Sequence, residues 1–498
     1  MCVAVQHSAR RGHYGRMNRF GLRVSLLISV LLAAPAHACP VSAPDIIRSD
    51  SFESCARTQS GLQRLADDLM INGIQPTVVL TRSITVDAPT RVLVVADGRH
   101  FPVDAPAAVV RVRIDGDESA SSVSVTDWGS SQRPMMHAFN VLADASLGAG
   151  THQIELIAHA HSSRPGRFRL GAGSAMSVLV QPLSTLSSAS LPGATGAVNL
   201  ITFAPGQGID VLEGGIGRPL VPVLAHSLRN PGARALMAIT LASGRAYHVC
   251  NSNIDEGYGD ALLGLTSNGV CQNTQESSWS VNDIDPNAEK QAPLMLHGAH
   301  SLQPGQERRL DLVVSELAFG SDQPNAHENG VCWSLGSTRM LTALNGAVSG
   351  AAIVPTTAQC STYTWQCVAS TAGTPGCPVS GTDVVLASAW VQIPPGHDGI
   401  VLFNARARIQ GDNADALTTA TLSIRVDGAM QGAIGMQQLA DGAAAASRTL
   451  SASYLSAANA PGGRLSVGPH LVEVTINVSG SRVAHASVPT ELALTWFD

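Results

Sequence analysis

An oxygen-rich run near the middle of the chain has side chains that could hold a metal ion. It reads NSNIDEGYGD and places Asn251, Asn253 and Asp255 at alternate positions ahead of a glycine. Alternating oxygen ligands before a glycine turn suit calcium. The glycine comes one position later than a standard calcium loop requires, and no closing glutamate follows at the right spacing. We therefore predict an acidic surface loop, with calcium bound by these three residues as the alternative.

Two histidines on a predicted strand offer a second metal-binding pattern. His159 and His161 lie two residues apart and share a strand face with Glu155. Two imidazoles and a carboxylate can bind a transition metal. The matching positions of a later, similar segment hold Asn477 and Ser479, so a solvated strand edge is the simpler interpretation.

Motifs for nucleophilic or phosphate chemistry do not occur in the sequence. The nearest approach to G-x-S-x-G is GAGSA at 171–175, which fails at its last position. Neither H-E-x-x-H nor a Walker-type loop is present. A carboxylate pair for glycoside hydrolysis stays open, because it needs proximity in space and not in sequence. We expect a protein that is not an enzyme.

Aromatic side chains concentrate in the middle of the chain, although aromatic content is only 4% overall. Tyr258 and Trp279 flank Cys271, and Arg245 lies nearby in sequence. On disulfide-stapled loops these three residues would form a recognition surface, since Trp, Tyr and Arg dominate binding hot spots. The alternative is that the aromatic residues fill a local core. Elsewhere, Trp390 and Trp496 lie in strand-like runs, where we expect burial.

The N-terminus carries the pattern of a secretory signal peptide. Basic Arg19 and Arg23 precede an apolar run at 24–34 and the small-residue sequence Ala-His-Ala at 36–38. We predict cleavage after residue 38, with Met17 as a second candidate start. The rest of the chain lacks an apolar stretch long enough for a membrane helix. We expect a secreted, periplasmic or cell-surface protein without a membrane span.

Charge limits the partners of the mature chain. Residues 1–38 hold five of the 31 basic residues and no acidic residue, so the remainder has a formal charge of −11. That excess argues against binding nucleic acid or an anionic membrane through bulk charge. An extracellular protein or a glycan is the expected kind of partner.

The cysteine count points to disulfides. The predicted mature chain has an even number of cysteines, which in an exported protein favours disulfide bonds, and the spacing is not that of a zinc site. Pairing between nearest neighbours is the prediction, and other connectivities stay open. The predicted pairs are Cys39–Cys55, Cys250–Cys271, Cys332–Cys360 and Cys367–Cys377.

An internal repeat organises the chain. RVRIDGD at 111–117 matches SIRVDGA at 423–429, and LGAGTHQIEL at 147–156 matches LSVGPHLVEV at 465–474 without a gap. The second match aligns His152 with His470, each two residues after a glycine. A polar side chain beside a glycine turn commonly hydrogen-bonds the turn backbone, so we expect that structural role for both histidines.

These matches predict the domain organisation. We expect one β-sandwich at 76–185 and its copy at 379–498, with a middle β domain at 194–355 that is a diverged third copy or an unrelated fold. Residues 356–378 read as a cysteine-rich connector. Residues 39–75 form an N-terminal segment, in which the leucine spacing of Ser60–Met70 predicts a short helix.

The fold class predicted is mainly β, with tandem domains of the sandwich or jelly-roll kind, because strand-like runs alternate with Gly, Pro, Asn, Asp and Ser clusters. The function predicted is that of a secreted structural, adhesive or binding protein of the bacterial exterior. The alternative is a secreted carbohydrate-active or carbohydrate-binding protein with its site in the middle domain.

Overall fold

A computed structural model describes the fold, and its regular structure is entirely strand in the part of the chain that it describes. The described residues are 59–104, 107–119, 121–127, 136–162, 165–182, 197–202, 208–211, 221–230, 233, 235–248, 257–268, 270–281, 291–316, 331–334, 339–346, 351–355, 377–379, 381–393, 395, 399–410, 418–431, 435–439, 447–460, 462–479 and 484–496. The prediction of a mainly β chain of the sandwich kind is confirmed, and all of its described strand pairs are antiparallel. The predicted signal peptide lies outside the described residues.

The first sandwich consists of two antiparallel sheets. One has the order β1-β10-β4-β9-β2 with β7 also paired to β4, and the other has the order β3-β8-β5-β6. Its strands are β1 (Gly61–Arg64), β2 (Leu69–Asn72), β3 (Thr77–Val86), β4 (Thr90–Pro102), β5 (Ala107–Ile114), β6 (Val123–Asp127), β7 (His137–Leu147), β8 (Gly150–Ala160), β9 (Arg167–Leu170) and β10 (Ala175–Pro182).

The middle sandwich again consists of two sheets. One has the order β11-β20-β14-β19-β12 with β17 also paired to β14, and the other has the order β13-β18-β15-β16. Its strands are β11 (Ala197–Thr202), β12 (Gly208–Val211), β13 (Val221–Arg229), β14 (Leu236–His248), β15 (Gly257–Ser267), β16 (Val270–Val281), β17 (Gln291–Leu302), β18 (Glu307–Glu316), β19 (Val331–Ser334) and β20 (Arg339–Gly346).

The third sandwich has the sheet orders β21-β30-β24-β28, with β22 also paired to β30, and β23-β29-β25-β26, with β27 also paired to β25. Its strands are β21 (Ala351–Pro355), β22 (Cys377–Val379), β23 (Gly381–Ile393), β24 (Val401–Gln410), β25 (Thr418–Val426), β26 (Ala429–Met430), β27 (Gly435–Leu439), β28 (Ser447–Leu455), β29 (Gly468–Ser479) and β30 (Ala484–Trp496).

The same strand order recurs in all three sandwiches, because β3-β8-β5, β13-β18-β15 and β23-β29-β25 correspond. A register shift in the first strand of each trio falls at the same place. It lies before Leu80, which pairs with Leu156, before Leu224, which pairs with Leu312, and before Ala387, which pairs with Val474. Such bulges twist an edge strand and blunt it against further pairing. The domain boundaries given above stay predictions.

Alternating burial explains why these segments form strands. In β8, Ile154, Leu156 and Ala158 are buried in the core of the first sandwich. Glu155 lies between two of them on the other face, since successive side chains of a strand point to opposite sides of the sheet. A second core cluster joins residues of the first and third sandwiches and includes Leu93 of β4 and Leu402 of β24.

The predicted helix at Ser60–Met70 is wrong, because this segment forms strands β1 and β2. β1 pairs with β10, and β2 pairs with β9. The leucine spacing that suggested a helix serves two different contacts instead, with Leu62 buried between sandwiches and Leu69 packed on the core of the first. Pairing with an existing sheet edge satisfies the backbone, buries Leu62 and partly buries Leu69, whereas an isolated helix this short is marginal.

Contacts between sandwiches use corresponding strands. β6 packs against β17, β16 packs against β28, and β27 packs against β7. Each sandwich therefore contacts the other two. Among the described residues, no helix is long and apolar enough to cross a membrane.

Candidate functional site

The turn after β5 uses the first of the repeated histidines. Asp115 and Gly116 both adopt positive φ, at 51° and 85°, which is the geometry of a tight hairpin turn. The Asp115 carboxylate accepts the backbone N–H of Gln153 at 2.8 Å and lies 2.6 Å from Nδ1 of His152. The other ring nitrogen of His152 lies 2.8 Å from the Gly148 carbonyl oxygen.

The third sandwich repeats this arrangement atom for atom. Asp427 and Gly428 have φ of 51° and 80°. The Asp427 carboxylate accepts the N–H of Leu471 at 2.9 Å and lies 2.7 Å from Nδ1 of His470, whose Nε2 lies 2.8 Å from the Ser466 carbonyl oxygen. Both histidines therefore have the structural role predicted from the sequence.

The middle sandwich has the same turn without the histidine. Asn268 has φ of 49°, and its side-chain oxygen accepts the N–H of Arg309 at 2.9 Å. Arg309 corresponds to Gln153 and Leu471, and so Arg308 takes the place of the histidine. The asparagine can accept the backbone N–H as aspartate does, which shows that this hydrogen bond, and not the charge, is common to all three turns.

Electrostatics agree with a structural role for the histidines. Burial opposes the charged ring of His152, but its hydrogen bonds to Asp115 and Gly148 outweigh burial and raise its pKa. The pKa of His470 is raised for the same reasons by Asp427 and Ser466. Both nitrogens of each ring are already used, so neither histidine is free for acid–base chemistry on a ligand.

Glu155 of the second metal pattern is held by a neighbouring strand. It forms an ion pair with Arg113 at 2.7 Å, and the two residues are register partners. Nδ1 of His159 lies 2.9 Å from the Ala160 carbonyl oxygen, and burial lowers its pKa. In the described part of the chain, no group of three or more His, Cys, Asp or Glu side chains could hold a metal ion.

The predicted aromatic site of the middle sandwich is divided between elements. Tyr258 lies on β15 and Trp279 on β16, in strands and not in the loops that the sequence suggested. Trp279 pairs with Gly259, the neighbour of Tyr258, so the two aromatic positions fall on opposite faces of the sheet. Arg245 lies on β14 in the other sheet, where it pairs with Pro293.

Other predicted site residues are not tested by the structure. Asn251, Asn253 and Asp255 lie outside the described residues. Each predicted disulfide has at least one cysteine outside them as well, and Cys271, Cys332 and Cys377 are described only as members of strands. The calcium site and the disulfide framework therefore stay predictions.

The structure adds a candidate binding residue, an exposed tryptophan for which the sequence predicted burial in a core. Trp390 is 71% exposed, so its predicted burial is wrong. It lies on β23, at the edge of its sheet, and pairs with Leu471 of β29. The missed signal was alternation, because the polar residues Ser388 and Gln392 stand two positions to either side and belong to the outward face.

The pairing register extends the outward surface around Trp390 across four strands. Ser388 pairs with Glu473, Glu473 pairs with Arg425, and Arg425 pairs with Met430, which is 45% exposed. Cross-strand partners share a face. We call this surface the Trp390 face, and it comprises Ser388, Trp390, Gln392, Leu471, Glu473, Arg425 and Met430. An ion pair of 2.5 Å with Asp383 holds the Arg425 guanidinium of this face in place.

The first sandwich lacks the apolar part of this face. Ser83 is the register equivalent of Trp390, because it pairs with Gln153 next to His152 as Trp390 pairs with Leu471 next to His470. A serine–glutamine pair thus stands where the third sandwich has tryptophan and leucine. The apolar surface is absent from the first sandwich and is therefore not required by the fold.

Comparisons with known proteins add little to this geometry. No family model matches the chain, and no curated protein matches it. Several solved structures are similar, and two of them share 11% identity with this chain. One is the N-terminal CBM22-1–CBM22-2 tandem domain of Paenibacillus barcinonensis Xyn10C, with 58% of this chain and 100% of that chain covered and a TM-score of 0.16. The other is dimeric latent PorU of Porphyromonas gingivalis, with 80% and 34% covered and a TM-score of 0.19. Neither similarity is close enough to carry an argument about function.

Proposed function

We propose that this chain is an exported, non-enzymatic binding protein that contacts its partner through the Trp390 face. One observation carries the proposal, namely that Trp390 is 71% exposed on a regular sheet face. Tryptophan is among the residues most enriched at binding hot spots, because it offers a large apolar area at little conformational cost. Its register equivalent in the first sandwich is serine, so the fold alone does not require a tryptophan at this position.

The surroundings of Trp390 favour recognition over aggregation. Half-buried Ser388 and Glu473 and exposed Gln392 supply hydrogen-bonding groups around the ring. Leu471 and Met430 extend the apolar area, while Arg425 is held by Asp383. An aromatic anchor with a polar rim is the usual composition of a specific contact surface.

The non-enzymatic part of the proposal rests on how the polar groups are used. The repeated Asp–His pairs, which resemble catalytic pairs in composition, bind turn backbone through both ring nitrogens. Glu155 is paired with Arg113. Export and disulfide bonding are part of the proposal through the signal-peptide pattern and the even cysteine count of the mature sequence.

A glycan is the second candidate partner. A tryptophan ring can pack on the apolar face of a sugar while neighbouring amide, hydroxyl and carboxylate groups bond its hydroxyls. Gln392, Ser388 and Glu473 are placed to serve in that way. The middle-domain residues Tyr258, Trp279 and Arg245 remain an alternative site for the same chemistry.

The experiment is an adhesion assay with the purified full-length chain. Surfaces coated with mannan, hyaluronan or gelatin would represent a neutral glycan, an acidic glycan and a protein. We expect binding to one of these coats that Trp390→Ala reduces, while the matched variant Ser83→Ala binds as the wild type does. Equal binding by Trp390→Ala and the wild type, or no binding to any coat, would refute the assignment to this face.

A further inference from the structure

A buried carboxyl lies where the first and third sandwiches meet. Asp97 of β4 is 1% exposed, and the Ser453 hydroxyl of β28 donates a hydrogen bond to its Oδ2. Its other oxygen has no hydrogen-bond partner among the described residues. The two residues come from the outward faces of two sheets, so Asp97 belongs to a contact between sandwiches and not to the core of either.

Strand β1 fastens the same contact. The backbone N–H of Leu62 donates to Oδ1 of Asn459 at 3.1 Å, and Nδ2 of Asn459 donates to the Leu62 carbonyl at 2.7 Å. The guanidinium of Arg64 donates to the carbonyl of Gln431. Three hydrogen bonds thus tie β1 of the first sandwich to loops of the third, beside the carboxyl.

The site around Asp97 supplies few donors for a negative charge. Asn404 of β24 pairs with Ser453 and is 3% exposed, yet neither of its amide atoms has a partner among the described residues. The register partners of Asp97 are Ala175 on β10 and Asn140 on β7, whose amide donates instead to Ser451 at 3.3 Å. An ionised carboxylate buried with one donor is costly, whereas a protonated one needs fewer donors.

The elements around the site carry other charged groups, among them Arg99, which lies two positions from Asp97 on β4 itself. Arg64 of β1 attracts the carboxylate, and Tyr454 of β28 lies near Arg64. Arg406 of β24 is buried two positions beyond Asn404. On β7, Asp144 is held by Arg91 of β4 at 2.5 Å. On balance burial dominates over the Ser453 hydrogen bond and the Arg64 charge, and it raises the pKa of Asp97 to about 7.

We propose that Asp97 is a pH-sensitive latch between the first and third sandwiches, closed while the carboxyl is protonated and loosened when it loses its proton. Once the proton leaves, the carboxylate gains solvation when the two sheet faces separate. The hydrogen bonds of Leu62 and Arg64 to the third sandwich break at the same time. The device needs no ligand and is independent of binding at the Trp390 face.

The direction of the pH dependence follows from the difference between the folded and ordinary pKa of Asp97. The folded carboxyl has a higher pKa than the ordinary value of 3.8, so closure is favoured fully below 3.8 and is weakened as pH rises to about 7. Above that pH, no further loss comes from this group. Opening should therefore increase from acidic to mildly basic conditions.

Hydrogen exchange on the full-length protein tests the latch. Protection of the Leu62 amide, corrected for intrinsic exchange, should be about tenfold or more lower at about pH 9 than at about pH 5 in the wild type. In Asp97→Asn it should be nearly independent of pH, and in the control Asp104→Asn, an exposed carboxyl bound to Arg167, it should follow the wild type.

A second variant keeps the proposal open to refutation if Asp97→Asn does not fold. Ser453→Ala removes the hydroxyl that donates a hydrogen bond to the Asp97 carboxyl. Because that hydrogen bond favours the charged form, its loss should raise the pKa of Asp97 in the closed state further, so protection of the Leu62 amide should keep falling to a higher pH than in the wild type. Equal pH dependence in the wild type and Ser453→Ala would overturn the latch, and so would equal pH dependence in the wild type and a folded Asp97→Asn.

Discussion

His470 occupies in the third sandwich the place that His152 occupies in the first, each joined through Nδ1 to the aspartate of a hairpin turn at 2.7 and 2.6 Å. Each ring also reaches a backbone carbonyl on the loop before its own strand. The ring therefore ties the turn after one strand to the loop before its neighbour. This position gives a physical reason for the repeated Gly-x-His pattern, since the glycine opens the strand with positive φ.

Replacing His152 with alanine should destabilise the protein by about 1–2 kcal/mol, because it leaves the Asp115 carboxylate with one fewer donor at a partly exposed site. The raised pKa of His152 predicts that the wild-type advantage is complete below the ordinary value of 6.5 and is lost as pH rises through the higher folded value. Urea unfolding of both proteins across this range would measure the difference. A constant difference at every pH would show that the ring charge contributes nothing.

The middle sandwich supplies a natural control for the turn aspartates. Asn268 performs the backbone part of the role of Asp115 at a similar positive φ. Asp115→Asn should therefore cost less stability than Asp115→Ala, which loses the hydrogen bond and places alanine at φ of 51°, a strain of about 1–2 kcal/mol. Thermal unfolding would rank the variants. If Asp115→Asn is as damaging as Asp115→Ala, the carboxylate charge matters more than the geometry.

Local patterns in the sequence were enough to predict a mainly β chain and its Asp-Gly turns. Alternation marked β8, the Asp-Gly pairs marked two hairpins, and the Gly-x-His match gave His152 its role. The helix at Ser60–Met70 failed because its leucines pack on partners more than 100 residues away, such as Leu170 of β9 opposite Leu69. Helical spacing and strand pairing compete, and only the tertiary partner decides between them.

The surfaces between sandwiches lay beyond sequence reasoning. Asp97 and Ser453 are 356 residues apart and meet because two outward sheet faces pack together. Alternation identifies both as outward, which for a lone sandwich would mean exposed. Trp390 is the opposite case, because alternation alone would have placed it outward, but its apolar character favoured a core. Hydrophobicity and periodicity disagreed there, and periodicity was correct.

Trp390→Ser installs the residue found at the equivalent position of the first sandwich. Because the ring is mostly exposed, we expect the free energy of unfolding to change by less than about 0.5 kcal/mol. Binding at the Trp390 face should weaken by about 2 kcal/mol, or roughly 30-fold, if the ring is an anchor. Urea unfolding and the adhesion assay would be measured on the same preparation. A large loss of stability would mean that the ring packs against the protein after all.

The middle-domain aromatic pair gives a prediction based on register. Tyr258 and Trp279 fall on opposite faces of the β15–β16 hairpin, because Trp279 pairs with Gly259. A flat partner on one face can use only one of them. If the middle domain and not the Trp390 face makes the contact, Tyr258→Ala and Trp279→Ala should therefore have unequal effects, with one reducing adhesion and the other reducing thermal stability. Equal loss of adhesion by both, with stability unchanged, would contradict this division.

The cysteine framework can be tested on protein recovered from outside the cytoplasm. We expect all eight mature cysteines to be oxidised, so alkylation without reduction followed by mass spectrometry should label none of them. The predicted loops are short, and each bond should contribute about 2–4 kcal/mol, mainly by constraining the unfolded chain. Replacing Cys271, next to the β15–β16 turn, together with Cys250 by serine should lower stability by that amount. Two or more labelled cysteines in the untreated protein would overturn the framework.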